Sequence, residues 1–291
     1  MEKISEVATL QLSDFSFNTY YTGPTSMYNH FQLAKKYIHY YLTAANGKGH
    51  GVHSPFVFSF IKNILLDNKQ YDCYDKIEQR RKQLKRNTGL IEVVDFGAGS
   101  TVIKTRQRII KDIANSSLKP KKYAQLLYRI VNHFQPASIL ELGTSFGITS
   151  AYLASGNQHA TLYTCEGADN IASIANETFN QLQLKNVELI RGDFSKTLPA
   201  LFAKIKKVDL AFIDGNHRKE PTLQYFRDLL AIADNNTILI FDDIHWSSEM
   251  EEAWQEVQAN DTVTLTIDLF FIGLVFINPD FKMKQHFTIR F

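Results

Sequence analysis

Five short apolar runs separated by helical stretches constrain the fold of this chain more than any other feature of its sequence. They occupy residues 138–142, 161–166, 187–193, 208–214 and 237–243. Runs that are apolar at nearly every position are typical of strands covered on both faces, and strands separated by helices pair in parallel. The spacing therefore predicts a doubly wound, Rossmann-like α/β domain with a five-stranded parallel sheet.

Two further apolar runs lie near the end of the chain, over Val263–Pro279. They are divided at Ile272–Gly273, which leaves too few residues for the crossover helix that a parallel pair requires. We therefore expect an antiparallel hairpin at the edge of the sheet.

The part of the chain before Pro136 has a helical pattern instead. Apolar residues recur there at three- and four-residue spacing, for example at Tyr37 and Tyr41. The sequence predicts three parts, which are a disordered leader or a misassigned start over residues 1–26, a helical cap over 27–135 and the α/β domain over 136–291.

Charge is distributed unevenly between these parts. The net charge is +2, but residues 27–135 hold 19 lysines and arginines against 7 acids, and residues 136–291 hold 12 against 20. A basic part is typical of nucleic-acid binding. It is also typical of a cap that docks on an acidic domain or binds an anionic substrate, and the scatter of the basic residues favours these alternatives. We expect the densest run, Lys76–Asn87, to be a solvated helix.

Several features indicate a cytoplasmic protein without a membrane partner. No apolar run reaches the ~18 residues that cross a bilayer. The first residues lack the basic and apolar regions of a signal peptide. Cys73 and Cys165 stand alone, as buried thiols do in a reducing compartment. The sequence leaves open whether the chain is a monomer or a homodimer.

Two glycine-rich segments, Asp95–Ser100 and Glu141–Ser150, compete for the role of a ligand-binding loop. A nucleotide-binding fold needs a loop between a strand and a helix, and about 20 residues further on a second strand that ends in an acid. Only the second segment meets this pattern, because the strand after it ends at Glu166. Its two glycines, Gly143 and Gly147, are one fewer than a pyrophosphate-binding loop uses, so a dinucleotide fits poorly.

The ends of the later strands extend this pattern. Glu166 is placed for ribose hydroxyls, and Asp193 is placed to accept a hydrogen bond from an adenine amine. With ELGTSFG, G-D-F, D-G-N-H and F-D-D in order, residues 136–279 resemble the class I S-adenosylmethionine-dependent methyltransferases. Among them, the chain is similar to the O-methyltransferase branch that includes catechol and macrocin-type enzymes.

The resemblance implies S-adenosylmethionine as the cofactor and a particular set of residues to hold it. These residues are Glu141, Gly143, Thr144, Ser145, Gly147, Glu166, Gly167, Asp193 and Asp214. It also implies that the terminal hairpin forms the antiparallel sixth and seventh strands of the family.

Three carboxylates are expected beside the transferred methyl group. Asp214 ends the fourth strand, and Asp242 and Asp243 end the fifth. Like charges in one cleft need a cation or many hydrogen bonds, and oxygen ligands suit Mg²⁺. The metal-dependent O-methyltransferases carry acids at the matching positions, so the resemblance implies a magnesium site of Asp214, Asp242 and Asp243.

The candidate proton acceptors are histidines. Some relatives carry a second aspartate where this chain has Asn216, which cannot take a proton. His217 and His245 lie nearby in the sequence, and a neutral imidazole suits general-base work near pH 7. We assign Asp214, His217 and His245 as candidate catalytic residues, with a metal-bound hydroxyl as the alternative to a dedicated base.

Two segments of the predicted cap stand out as glycine-rich and polar, Gly47–Phe56 and Asp95–Ser100. They are either tight turns between helices or a lid that brings His50, His53 or Asp95 to the substrate.

The leading hypothesis for function is S-adenosylmethionine-dependent O-methylation of a small hydroxylated acceptor. The alternatives are an RNA or nucleotide methyltransferase that uses the basic cap, or a scaffold without chemistry. The fourth strand ends in I-D-G-N-H and lacks the [DNS]-P-P-[YF] motif of amino methyltransferases, which argues against methylation of a base nitrogen. The identity of the acceptor stays open.

Overall fold

The computed structural model describes residues 27–49, 52–95 and 104–291 of the chain. The predicted leader, residues 1–26, lies outside this described part. The strands are β1 (Leu90–Asp95), β2 (Lys104–Ile109), β3 (Ser138–Leu142), β4 (Thr161–Glu166), β5 (Val187–Arg191), β6 (Leu210–Ile213), β7 (Ile238–Asp242), β8 (Leu265–Asp268), β9 (Ile272–Phe276) and β10 (Gln285–Thr288).

One eight-stranded sheet contains β3 to β10, in the order β10-β8-β9-β7-β6-β3-β4-β5. β3 pairs in parallel with β4 on one side and with β6 on the other. β4 continues in parallel to β5, and β6 to β7. The five predicted parallel strands and the doubly wound fold are confirmed. The winding reverses between β3 and β6, which is the switch point where open α/β sheets bind ligands.

The terminal hairpin is antiparallel as predicted, but it does not form the edge of the sheet. β9 pairs with β7, β8 pairs with β9, and β10 then adds in parallel to β8 as the outer strand. The edge prediction was wrong because β10 is only four residues long and alternates half-buried with exposed positions. A short strand with one covered face produces little apolar signal in the sequence.

Helices cover both faces of the sheet. They are α1 (His30–Thr43), α2 (Pro55–Phe60) with a π-helical turn (Ile61–Leu65), α3 (Asp72–Leu84), α4 (Ile110–Ser117), α5 (Lys121–Phe134), α6 (Ile148–Gly156), α7 (Asp169–Gln181), α8 (Phe194–Ile205), α9 (Lys219–Leu230) and α10 (Ser248–Ala259). Among the described residues, no helix is both long enough and apolar enough to cross a membrane.

Alternate residues of the strands enter two different cores. On one face, Ile139 and Phe212 pack with α2 and α5, as Phe60 and Leu126 show. On the other face, the next residues along each strand pack with α8, α9 and α10. The helices before Pro136 therefore share a core with the sheet.

The predicted helical cap requires two corrections. First, β1 and β2 form an antiparallel hairpin there, with Leu90 opposite Ile109. The sequence did not indicate β2 because KTRQRI has no apolar alternation. Second, the run Lys76–Asn87 is not simply solvated, because Arg80 and Arg81 of α3 are buried. Arg81 pairs with Glu78 at 2.9 Å, so two charges of the densest basic run point inward.

Candidate active site

The loop after β3 and the residue after β6 touch at the switch point. Gly143 has a φ of +107°, and a Cβ atom at this position would overlap the backbone oxygen of Asp214. Glycine meets both requirements, because it tolerates positive φ and allows close approach of another backbone. The predicted ligand loop and Asp214 are therefore held against each other.

The loop turns tightly beside the end of β4. Ser145 has a φ of +49° and donates its N–H to Oε2 of Glu166 at 2.9 Å. Gly147, with a φ of +78°, is the N-cap of α6, and its N–H donates to the carbonyl of Thr144 at 2.9 Å. The loop backbone is thus fixed around the carboxylate of Glu166.

Glu166 holds this turn and keeps acceptor capacity. Its Oε1 accepts from the N–H of Ala168 at 3.0 Å. Burial raises the pKa of Glu166, and backbone N–H donors of Ala168, Ser145 and Gly167 partly offset this. A carboxylate has about four lone-pair positions. After these backbone donors, Glu166 therefore keeps lone-pair capacity for a hydroxyl donor of a ligand.

Glu141 lies beneath the loop and is fully buried. Its Oε2 accepts from the hydroxyls of Ser150 and of Thr164, the latter at 2.6 Å, and the Thr164 hydroxyl also contacts that of Thr144 at 2.6 Å. Burial raises the pKa of Glu141 to about 8, against the lowering effect of the two hydroxyls. The side chain of Glu141 thus supports the loop from below, and its contact with a cofactor stays a prediction.

Asp193 stands at the start of α8. Its Oδ1 accepts from the N–H and the hydroxyl of Ser195, each at 2.9 Å, so the carboxylate caps this helix. Gly192 before it has a φ of +123° and donates its N–H to the carbonyl of Glu166 at 2.9 Å. Asp193 and Glu166 thus lie at the same edge of the sheet, and contact of Asp193 with an adenine stays a prediction.

Asp214 and Asp242 converge on Lys119, a residue that the sequence did not single out. Nζ of Lys119 contacts Oδ2 of Asp242 and lies 3.6 Å from Oδ2 of Asp214. The side chains of Lys119 and Asp242 are 11% and 0% exposed. Nε2 of His217 lies 3.5 Å from Oδ1 of Asp214. We call Lys119, Asp214, His217, Asp242 and Asp243 the acid cluster.

The charges of the acid cluster stabilise the ammonium of Lys119. Burial lowers its pKa, but Asp214, Asp242 and Asp243 outweigh burial and raise the pKa above its ordinary value. Burial raises the pKa of Asp214 well above the usual range, Asp242 adds to this and Lys119 opposes it. Burial also raises the pKa of Asp243, again with a contribution from Asp242.

This arrangement does not fit the predicted magnesium site. Asp243 turns toward His217, with Oδ2 3.7 Å from Nδ1. The ligand atoms that converge within 4.8 Å are those of Asp214, His217 and Asp242. The ammonium of Lys119 already pairs with two of these three groups, and it would repel a second cation placed there. The chain itself supplies the cation that the carboxylates require.

Lys119 is held by the connection between α4 and α5. Nη1 of Arg81 donates to the carbonyl of Lys119 at 2.7 Å. Two residues earlier, the hydroxyl of Ser117 lies 3.0 Å from that of Ser145. One short connection therefore contacts both the ligand loop and the acid cluster. The only sequence signal was a lysine and a proline before a helix, inside a region already rich in lysine.

His217 reaches the acid cluster from a strained turn. Asn216 and His217 have φ values of +67° and +30°. Nδ2 of Asn216 donates to the hydroxyl of Tyr225 at 2.6 Å, which holds the turn. Positive φ in residues other than glycine costs energy and is found most often at functional sites. The imidazole lies between Asp214 and Asp243 as a result.

His245 does not join this group, which weighs against its candidate catalytic role. Its Nδ1 lies 3.0 Å from Oε1 of Glu251 and its Nε2 2.8 Å from Oδ2 of Asp268, so both ring nitrogens are engaged. Burial lowers the pKa of His245, but these two carboxylates outweigh burial and raise it to about 9. A protonated, doubly paired imidazole cannot accept a proton near pH 7.

The helix after His245, α10, is capped by the residue before its first turn. Ser247 is the N-cap of α10, and its hydroxyl accepts from the N–H of Met250. This position leaves Glu251 to pair with His245.

The two glycine-rich cap segments lie only partly in the described residues. His50, Gly51 and residues 96–103 fall outside them. Asp95 ends β1, so its segment is not a turn between helices. His53 is exposed. At Gly47 a Cβ atom would overlap the carbonyl of Arg290, so this segment runs beside the residues after β10.

Comparison with known proteins agrees with this architecture. The family model described as a methyltransferase domain matches residues 140–244. No curated protein matches the chain in sequence.

Solved structures share the fold at low sequence identity. The O-methyltransferase TomG from Streptomyces achromogenes, in complex with S-adenosylmethionine, is 17% identical with a TM-score of 0.52, and the match covers 77% of this chain and 95% of that one. The SAH-bound methyltransferase PaMTH1 from Podospora anserina is 11% identical with a TM-score of 0.54, covering 88% and 99%. The chain thus contains a methyltransferase domain, at residues 140–244, within the fold of the class I S-adenosylmethionine-dependent methyltransferases.

Proposed function

We propose that this protein transfers the methyl group of S-adenosylmethionine to a hydroxyl oxygen of a small acceptor. One observation carries the proposal: the loop Gly143–Gly147, with Glu166 beside it, touches Asp214 of the acid cluster. If Glu166 holds the adenosine part of S-adenosylmethionine, the methyl group of this cofactor lies next to Lys119, Asp214 and His217. The solved relatives that bind this cofactor or its product SAH support the assignment.

Methyl transfer requires that the acceptor oxygen is aligned with the methyl group and that a nearby group accepts one proton. The acceptor oxygen donates an electron pair to the methyl carbon, the sulfur–carbon bond breaks, and S-adenosylhomocysteine leaves. The hydroxyl proton goes to the imidazole of His217, whose ring nitrogens lie 3.5 Å from Asp214 and 3.7 Å from Asp243, farther than the short contacts that engage both nitrogens of His245. The ammonium of Lys119 stabilises negative charge as it develops on the acceptor oxygen.

Lys119 also replaces the dication in this proposal. The Mg²⁺ site expected from the resemblance would need Asp214 and Asp242 as ligands, and both are paired with Lys119. We therefore assign no step to a metal ion, and we expect methyl transfer to continue in the presence of EDTA.

The test is calorimetric titration of S-adenosylmethionine into the wild-type protein and into Glu166→Gln. The amide removes the charge that strengthens hydrogen bonds from two ribose hydroxyls, so affinity should fall by about ten-fold to a hundred-fold.

Glu188→Gln is the matched control, because Glu188 is an exposed carboxylate of β5 that pairs with Lys204. Its affinity should equal that of the wild type. Melting curves verify that both variants are folded. Equal affinity of a folded Glu166→Gln variant would refute the assignment of the cofactor site.

A further inference from the structure

A cavity of about 810 Å³ lies outside the acid cluster, between the end of α1, the first turns of α5 and the residues after β10. Five basic residues line it: Lys48, Lys121, Lys122, Arg129 and Arg290. No aspartate or glutamate is among its lining residues. Tyr41, Leu65 and Phe291 add apolar surface. A volume in this range suits a small organic ligand.

The positive charge of this basic cavity is poorly balanced by the protein. Within the described part of the chain, Lys48, Lys121, Arg129 and Arg290 form no ion pair with an acidic side chain. The charge of Arg129 also interacts with that of Asp67, but the two do not form an ion pair. The carboxylate of Asp67 instead accepts hydrogen bonds from the hydroxyl of Tyr71 and the N–H of Lys69.

Two arginines of the basic cavity are held in place by other contacts. Arg129 is buried, and its Nε donates to the carbonyl of Ile64 at 2.8 Å. The guanidinium of Arg290 stacks on Tyr41 at 4.5 Å from the ring centroid. Its Nε is buried and has no hydrogen-bond acceptor among the described residues. Fixed guanidinium groups are suited to bind a carboxylate or phosphate, because their N–H donors match its oxygens.

The basic cavity is next to the acid cluster. Lys119 and Lys121 are two residues apart, which limits the distance between their Cα atoms to about 7 Å. Between the two sites, the ring of Tyr123 packs on that of Phe271 with centroids 5.5 Å apart. The carbonyl of Phe271 accepts from the N–H of Asp243 at 2.7 Å. A ligand anchored in the cavity would have to pass over this ring pair, at the partly exposed Phe271, to extend to the reacting end of the sheet.

We infer that the methyl acceptor is an acidic small molecule, whose phosphate or carboxylate group binds in the basic cavity while its hydroxyl reaches His217. This inference rests on the proposed function and adds the class of acceptor to it. It also gives four of the basic residues before Pro136 a role that needs no nucleic-acid partner.

The test measures anion binding directly, without a known acceptor. Pyrophosphate and citrate are titrated separately into the wild type and into the double variant Lys48→Gln/Lys121→Gln, at fixed ionic strength. Both lysines are exposed, so the double variant should fold. We expect at least one of the anions to bind the wild type. Its affinity should fall about ten-fold in the double variant, the size expected for loss of a charge-assisted hydrogen bond.

Lys82→Gln/Lys85→Gln is the matched control, since it removes two exposed lysines of the same basic region that do not line the cavity. It should bind the anion like the wild type. The anion that binds identifies the group as phosphate or carboxylate. If neither anion binds, or if both double variants bind it equally, the inference is wrong. It is also wrong if only a single-stranded oligonucleotide, titrated in parallel, depends on Lys48 and Lys121.

Failure of this inference is separable from failure of the proposed function. Glu166→Gln should lose affinity for S-adenosylmethionine and still bind the anion. Lys48→Gln/Lys121→Gln should lose the anion and still bind S-adenosylmethionine.

Discussion

The ammonium group of Lys119 determines how the acidic ends of β6 and β7 can be used. Without it, Asp214 and Asp242 would be two nearly buried carboxylates with His217 as their neighbour, a donor set that could take a dication. With it, the same carboxylates are paired and oriented by a group of the chain itself. We therefore expect this one side chain to decide whether the site binds a metal ion.

This pairing predicts the behaviour of Lys119→Met. Removal of one partner from a buried ion pair leaves uncompensated charge and costs about 3–5 kcal/mol. The free energy of unfolding, measured with denaturant, should fall by this amount. Lys121→Met is the control, because Lys121 is exposed and has no acidic partner among the described residues, and its stability should stay near that of the wild type.

A second measurement on Lys119→Met is the effect of Mg²⁺ on its melting temperature. In Lys119→Met the atoms of Asp214, His217 and Asp242 become available to a dication, which would stabilise the folded protein by linkage. Millimolar Mg²⁺ should therefore raise the melting temperature of Lys119→Met and leave that of the wild type unchanged. An equal rise in both proteins would contradict the role assigned to Lys119.

Among the elements, α1 is attached to α10 and to the end of β8 by a partly buried ionic network. The hydroxyl of Tyr28 donates to Glu251 at 2.7 Å, and Lys36 pairs with the same carboxylate at 2.9 Å. Glu251 in turn pairs with His245, which also pairs with Asp268. Burial raises the pKa of Glu251, but its bonds with His245, Tyr28 and Lys36 outweigh this and lower the pKa to about 2.

The network predicts a pH dependence of stability. The pKa of His245 is about 9 in the folded protein and 6.5 when unperturbed, so the folded state binds the proton more tightly. The stabilisation is complete below pH 6.5 and is lost as the pH rises through 9. It amounts to at most about 3 kcal/mol.

Denaturant unfolding of the wild type and of His245→Gln, from pH 6 to pH 10, measures this contribution. The difference in unfolding free energy between them should shrink as the pH rises. His39→Gln, an exposed histidine of α1, is the control and should follow the wild type at every pH. A difference that is constant across this range would show that the charge of His245 does not stabilise the network.

The elements differ in how well the sequence predicted them. The buried strands β3 to β7 were predicted because apolar residues on both faces leave a continuous signal. The loop Gly143–Gly147 was predicted because its position between a strand and a helix, followed by Glu166, is a local pattern. The pairing of Lys119 with Asp242 spans 123 positions of the chain. No local pattern encodes it, because it depends on how the connection before α5 crosses the end of the sheet.

For the whole molecule, the uneven charge has a structural explanation in two parts. Some of the basic residues before Pro136 turn inward, as Arg80 does toward Thr178 at 3.1 Å. Others, such as Lys121 and Arg129, surround the basic cavity. The acceptor, the cofactor and the reacting groups would then share one edge of the sheet, where the strands β3, β6 and β7 end.

The most direct measurement is transfer of tritium from methyl-labelled S-adenosylmethionine to a panel of hydroxylated carboxylic and phosphorylated small molecules, with EDTA present throughout. We expect label to appear in a methyl ether of at least one panel member. We also expect the rate to match that of a parallel reaction with Mg²⁺ and without EDTA. Label that appears only when Mg²⁺ is added, or only in RNA supplied in the same mixture, would contradict the proposed function.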